Sequence, residues 1–187
     1  MVSSALYRYF GSRDELLTAL IVDAYGDLAT VIGRSTAAVE SDRFRERWLA
    51  ACAAMRQWAR REPHRFALIY GATIPGYRAP VATIAPALDV MTALSGIIDD
   101  AGRAGALADP AGEVPAPLRA QLDDVARVLG ERIPAPVLAT LVGAFGQLVG
   151  MINLELGGHF VGGLEPADDL FRHTVEQVAE HLQLQDA

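Results

Sequence analysis

The 187-residue chain has no lysine, so all 16 of its basic residues are arginine, and it has one cysteine, Cys52. A single cysteine excludes an internal disulfide framework and any multi-cysteine zinc or iron–sulfur site. Asparagine occurs once, at Asn153, and aromatic residues make up 7% of the chain. With many alanines, the missing lysine reads as coding bias, and it carries no functional weight. Positive charge is in deficit: 23 acidic residues give a net charge of −7, which argues against a generally basic nucleic-acid coat, although a local basic patch is compatible with it. No basic region followed by an apolar stretch opens these 187 residues, so no signal peptide and a cytoplasmic location are expected. No stretch alternates with period two, which removes the usual signature of a strand.

What remains is helical patterning in a chain that is 51% hydrophobic, enough to fill a core. Ser3 to Phe10 is a short helical run stopped by Gly11. Ser12-Arg13-Asp14-Glu15 reads as a capping box, with Ser12 accepting near the Glu15 N–H and Glu15 reaching back to Ser12. It opens a helix from Arg13 to about Gly33. Further helices are expected at Arg43–Arg61, with Trp48, Cys52, Met55 and Ala59 as an apolar stripe, and at His64–Gly71. The next runs from about Pro80 or Pro86 to Gly102. Leu118–Leu129, Pro134–Leu156 and Glu165–Leu184 complete the set. These eight helices and the lack of strands define an all-α bundle. Residues 133–154 carry no charge and are long enough to span a bilayer, but two prolines, Gln147, Asn153 and the interior glycines favour a buried helix. Gly143, Gly146 and Gly150 on it would let a partner backbone come close.

The string from Val2 to Leu17, L-Y-x-x-F-x-S-R-x-x-L-L at its centre, closely resembles the tetracycline-repressor family of transcription regulators. It corresponds to the third helix and the start of the fourth in that family's helix-turn-helix head. A recognition helix offers small or polar groups to base edges and flanks them with phosphate contacts. The resemblance therefore implies Ser3, Ser4, Tyr7, Tyr9 and Arg13 as DNA-binding residues, with Leu6 and Phe10 facing the head's core. Two helices precede this point in the family and have no counterpart in these 187 residues. The implied organisation is a helix-turn-helix remnant over residues 1–34 and a ligand-binding and dimerisation domain over 42–187. This chain alone is then expected to bind operator DNA weakly or not at all unless those helices are present.

The resemblance also implies a homodimer and a hydrophobic or aromatic effector. Candidate effector contacts are Met55, Trp58, Phe66, Tyr70, Tyr77, Arg78, Met91, Leu94 and Phe145. Candidate dimer contacts on the last two long helices are Val137, Leu141, Phe145, Leu148, Ile152, Leu170, Val175, Val178 and Leu182. The alternative is a ligand- or partner-binding helical dimer with no DNA role. An enzyme is the weakest reading, since no convergent catalytic set exists. No cofactor and no metal are expected: His64, His159, His173 and His181 have no ligand spacing. Asp99-Asp100, Asp123-Asp124 and Asp168-Asp169 read as solvated faces, and the arginines between Arg43 and Arg65 as partners of acids elsewhere.

Overall fold

A computed structural model describes residues 10–107 and 113–184. The described residues form seven α-helices and one short 3₁₀ turn, with no strand among them. In chain order these are α1 (Arg13–Ala37), α2 (Phe44–Arg61), α3 (Pro63–Tyr70), the 3₁₀ turn Val81–Thr83, α4 (Ile84–Arg103), α5 (Ala116–Leu129), α6 (Ala135–Leu156) and α7 (Asp168–His181). The helix expected at Ser3–Phe10 lies, but for Phe10, outside the described residues.

Local chemistry sets the ends. Ser12 caps α1 by accepting from the Glu15 N–H at 3.1 Å, while Glu15 Oε2 takes the Gly11 N–H at 2.8 Å. The reciprocal arm thus lands one residue earlier than the expected Ser12 N–H. α1 runs on past Gly33 to Ala37 because Ile32 and Thr36 are still buried on its inner face. Pro86 does not delay α4, since its missing N–H costs nothing within a first turn. α3 ends at Gly71, where a Cβ would fall 2.4 Å from the Ala67 carbonyl oxygen, so only glycine closes that turn. α5 ends at Gly130 in the left-handed region, φ 73°. α7 starts later than expected, at Asp168, because Pro166 keeps the residue before it out of helical geometry.

One core joins the helices. Ala24, Leu28 and Ile32 of α1 meet Trp48, Cys52, Met55 and Trp58 of α2, and Leu94, Ile97 and Ile98 of α4. Leu138, Leu141 and Ile152 of α6 and Phe171 and Val175 of α7 close it from the other side. Burial pushes the Cys52 thiol well above its usual range, so it is an inert filler. By length and composition, α1, the 81–103 stretch and α6 could each cross a bilayer. Each nevertheless contributes core residues to this bundle, and α1 also carries Asp23 and Asp27 in ion pairs.

The charged surface is more organised than the sequence suggested. Arg56 is 8% exposed, its guanidinium gripping Glu155 through two bonds of 2.7 Å and Asp168 at 2.8 Å, and lying 4.8 Å from the Phe171 ring centroid. The Glu155 bond raises the guanidinium pKa and outweighs the opposing effect of desolvation. This junction fastens α2 to the end of α6 and the start of α7. Asp99 is buried; it accepts the Arg132 backbone N–H at 2.8 Å and pairs with Arg103. Asp100 pairs with Arg47 at 2.9 Å. Asp99-Asp100 is therefore a structural clasp rather than a solvated face, whereas Asp168 and Asp169 stay exposed, as read from the sequence, with Asp168 also bonded to Arg56. The arginines between Arg43 and Arg65 pair with acids inside the chain, not across a dimer boundary: Arg43 with Glu46 at the start of the same helix, Arg47 with Asp100, Arg56 with Glu155, and Arg65 with Asp23 and Asp27.

Candidate effector cavity

The middle of α1 is clamped. Asp27 accepts from Trp58 Nε1 at 2.8 Å and from Arg65 Nη1 at 2.7 Å, and Arg65 Nη2 reaches Asp23 at 2.6 Å. The Arg65 guanidinium also lies 5.6 Å from the Trp58 ring centroid. Beside this clamp runs a chain of edge-to-face aromatics. Trp58 and Phe66 centroids are 6.5 Å apart, Phe66 and Tyr70 5.2 Å, Tyr70 and Tyr25 5.8 Å, and Tyr70 and Phe145 5.7 Å. Such contacts add to area burial and hold the rings in place. Burial raises the pKa of both the Tyr70 and the Tyr25 phenols, so both are neutral.

Next to this chain lies an apolar cavity of about 610 Å³. Ile21 and Tyr25 of α1 form one wall, Leu68 and Ile69 of α3 another, and Ala87, Leu88 and Met91 of α4 a third. Val125, Leu138 and Val142 close its far side, and the loop holding Thr73, Ile74 and Tyr77 lies along its edge. The volume is in the range of small-molecule sites. The arrangement can enclose an apolar molecule; it offers no general acid, base or nucleophile.

Of the expected effector contacts, Tyr77 and Met91 line the cavity. Tyr70 and Phe145 stand behind it in the aromatic chain. Met55, Trp58, Phe66 and Leu94 are at most 2% exposed within the closed core and do not reach it, and Arg78 is on the surface. Sequence reasoning overlooked Ile21, Tyr25, Val125, Leu138 and Val142. Their signal was faint: each sits on an ordinary helical stripe and differs from its core neighbours only in where the helices diverge.

The expected dimer contacts need correction. Val137, Leu141, Leu148, Ile152, Val175 and Leu182 are buried inside the chain's own core, because α6 and α7 turn these stripes toward α2 and α3. Phe145, Leu170 and Val178 are half-buried. The face α6 leaves open holds Val142, Gly143, Gly146, Gln147 and Leu154. A Cβ added at Gly143, Gly146 or Gly150 would meet nothing within 4 Å, so this chain's own packing does not require those glycines. Beside this face, between α6 and α7, runs an open groove of about 710 Å³ lined by Thr140, Gln147, Thr174, Gln177 and His181.

Of the expected DNA contacts, Ser3, Ser4, Tyr7 and Tyr9 lie outside the described residues, and Arg13 is exposed on the first turn of α1. All four histidines are exposed, and no group of metal ligands occurs among the described residues.

The helices form an all-α bundle with an apolar cavity, an architecture shared by regulatory proteins, and comparison with known proteins gives its family. Residues 48–178 match the family model described as the tetracyclin repressor-like C-terminal domain. The chain is 37% identical over 192 residues to the HTH-type transcriptional regulator Rv1816 of Mycobacterium tuberculosis and, equally, to Mb1846 of Mycobacterium bovis. Each alignment covers 97% of this chain and 80% of the relative. Among solved structures, it is similar to the regulatory protein SCO4313, with 31% identity, a TM-score of 0.73, and coverage of 96% of this chain and 80% of that one. A protein of unknown function from Rhodococcus sp. RHA1 shares the fold at 22% identity and a TM-score of 0.68, covering 93% and 75% of the two chains. The chain belongs to the tetracycline-repressor-like family of DNA-binding transcriptional regulators, which are not enzymes.

Proposed function

We propose that this chain is the sensory and dimerising part of a cytoplasmic, ligand-responsive regulator, acting most simply as a repressor, with a small apolar effector in the cavity and operator DNA as the partner of its head. The observation that carries this reading is the cavity's position. Ile21 and Tyr25, on its wall, belong to the helix that begins at the head-side residues Ser12 and Arg13. A ligand there touches that helix directly, and differential binding to two positions of α1 would couple the sites. In this reading residues 1–34 carry the head remnant and 42–187 the sensor, and α1 links them: it starts on the head side, while its Ala24, Leu28 and Ile32 pack into the sensor core.

The homodimer reading rests on the family and on the open glycine face of α6. A C₂ contact is self-complementary, and bare glycines let two copies of one helix approach closely. Gly143, Gly146 and Val142 replace the inward-facing residues as its expected centre. We read the apolar lengths of α1 and α6 as bundle packing, with no membrane partner.

A thermal-shift and calorimetric screen of neutral lipophilic compounds tests the effector reading. Binding should occur in the wild type and be lost in Ala87→Trp, which fills the cavity. Silence across such a panel, with the protein folded, would refute it. Light scattering tests the dimer: Gly146→Leu should give a monomer, whereas a monomeric wild type would contradict the reading.

A further inference from the structure

No residue described on the cavity wall is Asp, Glu, Arg or His. The cavity is partly open to solvent, and an ion that gave up its water to reach the apolar wall would find no countercharge, a cost of several kcal/mol. The cavity therefore selects against charge of either sign.

On the wall, Thr83 gives its hydrogen to the Pro80 carbonyl and Thr73 lies on the loop; the capacity of the Tyr25 and Tyr77 phenols follows from the hydrogens available. A hydroxyl has one hydrogen and two lone pairs. Thr18 Oγ1 lies 2.8 Å from the Asp14 carbonyl oxygen and 2.9 Å from Tyr77 Oη. A carbonyl can only accept, so the Thr18 hydrogen points to Asp14. Tyr77 is then the donor to Thr18. Tyr25 commits its hydrogen in the same way, to the Ile69 carbonyl at 3.3 Å. Both phenols thus present only lone pairs to a newcomer, unless one of these bonds is broken.

The two bonds differ in consequence. Tyr25 sits beside Ala24, on the part of α1 that is sunk in the core. Thr18 belongs to the stretch Arg13–Leu20, none of which is fully buried, and its bond to Tyr77 ties that stretch to the loop at the cavity edge. Exchanging the Thr18 acceptor for a ligand acceptor costs little, because one hydrogen bond replaces another and partly exposed Thr18 can turn to water.

We propose that the cavity takes an uncharged apolar molecule carrying a hydrogen-bond acceptor, such as a ketone or ester oxygen, and that this acceptor draws the Tyr77 hydroxyl away from Thr18 and releases the first two turns of α1 from the loop. This rests on the effector reading above and adds the ligand's class and the bond it switches.

Three probes of one chain length separate the parts: 2-octanone, n-octane and octanoate, each with the 187-residue protein at neutral pH. Calorimetry should show 2-octanone binding at least tenfold more tightly than octanoate. Amide hydrogen exchange over residues 13–21 should quicken severalfold with 2-octanone and stay unchanged with bound n-octane. In Tyr77→Phe and in Thr18→Val the same amides should exchange rapidly without ligand and respond no further to the ketone. Octanoate binding as tightly as the ketone would overturn the ligand class. Ketone binding without faster exchange, or Tyr77→Phe exchanging like the wild type, would overturn the switch. If none of the probes binds, the effector reading itself falls, while the Tyr77→Phe comparison still decides whether that hydroxyl holds α1.

Discussion

The two ends of the bundle are built on opposite principles. At one end Arg56 locks α2 to α6 and α7 through charged bonds and a ring contact, with Glu155 and Asp168 as its acids. At the other, the cavity lining is mostly apolar: the middle of α1 is held by Arg65 and by the Tyr25 bond to Ile69, while its start meets the loop through the hydroxyl contact of Thr18 with Tyr77. A buried guanidinium leaves little slack, because opening the junction costs Glu155 its two short bonds and leaves only the 4.0 Å contact with Arg60. An apolar wall with one exchangeable hydrogen bond tolerates movement. The contrast teaches where motion is cheap: beside the cavity, and not at the junction of α2, α6 and α7.

The largest expected effect breaks the charged end. Arg56→Met should cost about 1–3 kcal/mol in urea denaturation, since it takes two bonds from the largely buried Glu155 and leaves it only the longer contact with Arg60, while exposed Asp168 turns to water. A loss near zero would mean that the junction is not a fastening. At the cavity end, Ala87→Leu should leave the urea midpoint almost unchanged while weakening neutral probes at least tenfold, about 1.4 kcal/mol in binding. Equal stability losses from these two variants would erase the contrast.

A smaller effect depends on pH. Glu131 accepts from Ser95 at 2.7 Å, but its second oxygen is buried without a partner. Desolvation raises its pKa, and nearby Asp99 and Asp100 push the same way against Ser95 and Arg103. A carboxyl raised in the folded state binds more protons there than when unfolded. Its stabilising contribution is therefore present at low pH and is lost as pH climbs from the ordinary glutamate range through the raised value. Glu131→Gln should remove that loss, so the variant gains on the wild type in denaturation profiles as pH rises from the ordinary glutamate range, about pH 4, through neutrality. Parallel profiles would rule this out. The smallest effect belongs to Arg172→Ala, which removes an exposed pair with Asp169 and should change stability by less than about 0.5 kcal/mol.

Much of the fold was legible because helices announce themselves locally. Ser12 and Glu15 marked the start of α1, and Trp48, Cys52, Met55 and Ala59 recur at the helical period that α2 buries. The site was less legible because facing is a tertiary property. Leu141 and Leu148 look like contact residues from their spacing, yet they turn inward and leave Val142 and Gly146 outside. Met55 and Met91 are indistinguishable as letters; only the divergence of helices places one in the core and the other on a cavity wall. Asp99 looked solvated because the Arg132 backbone N–H it accepts comes from 33 residues away, and the Asp168 bond was not visible because Arg56 is 112 residues distant in sequence.

The Trp58 indole donates to Asp27 of α1 and lies under Arg65, whereas Trp48 donates to the Val175 carbonyl deep beneath α7. The chain has no other tryptophan. The molecule thus carries an optical gauge and its reference: a tilt of α1 would alter the electric field on one indole and spare the other, so unlabelled protein would register it as a change in emission colour.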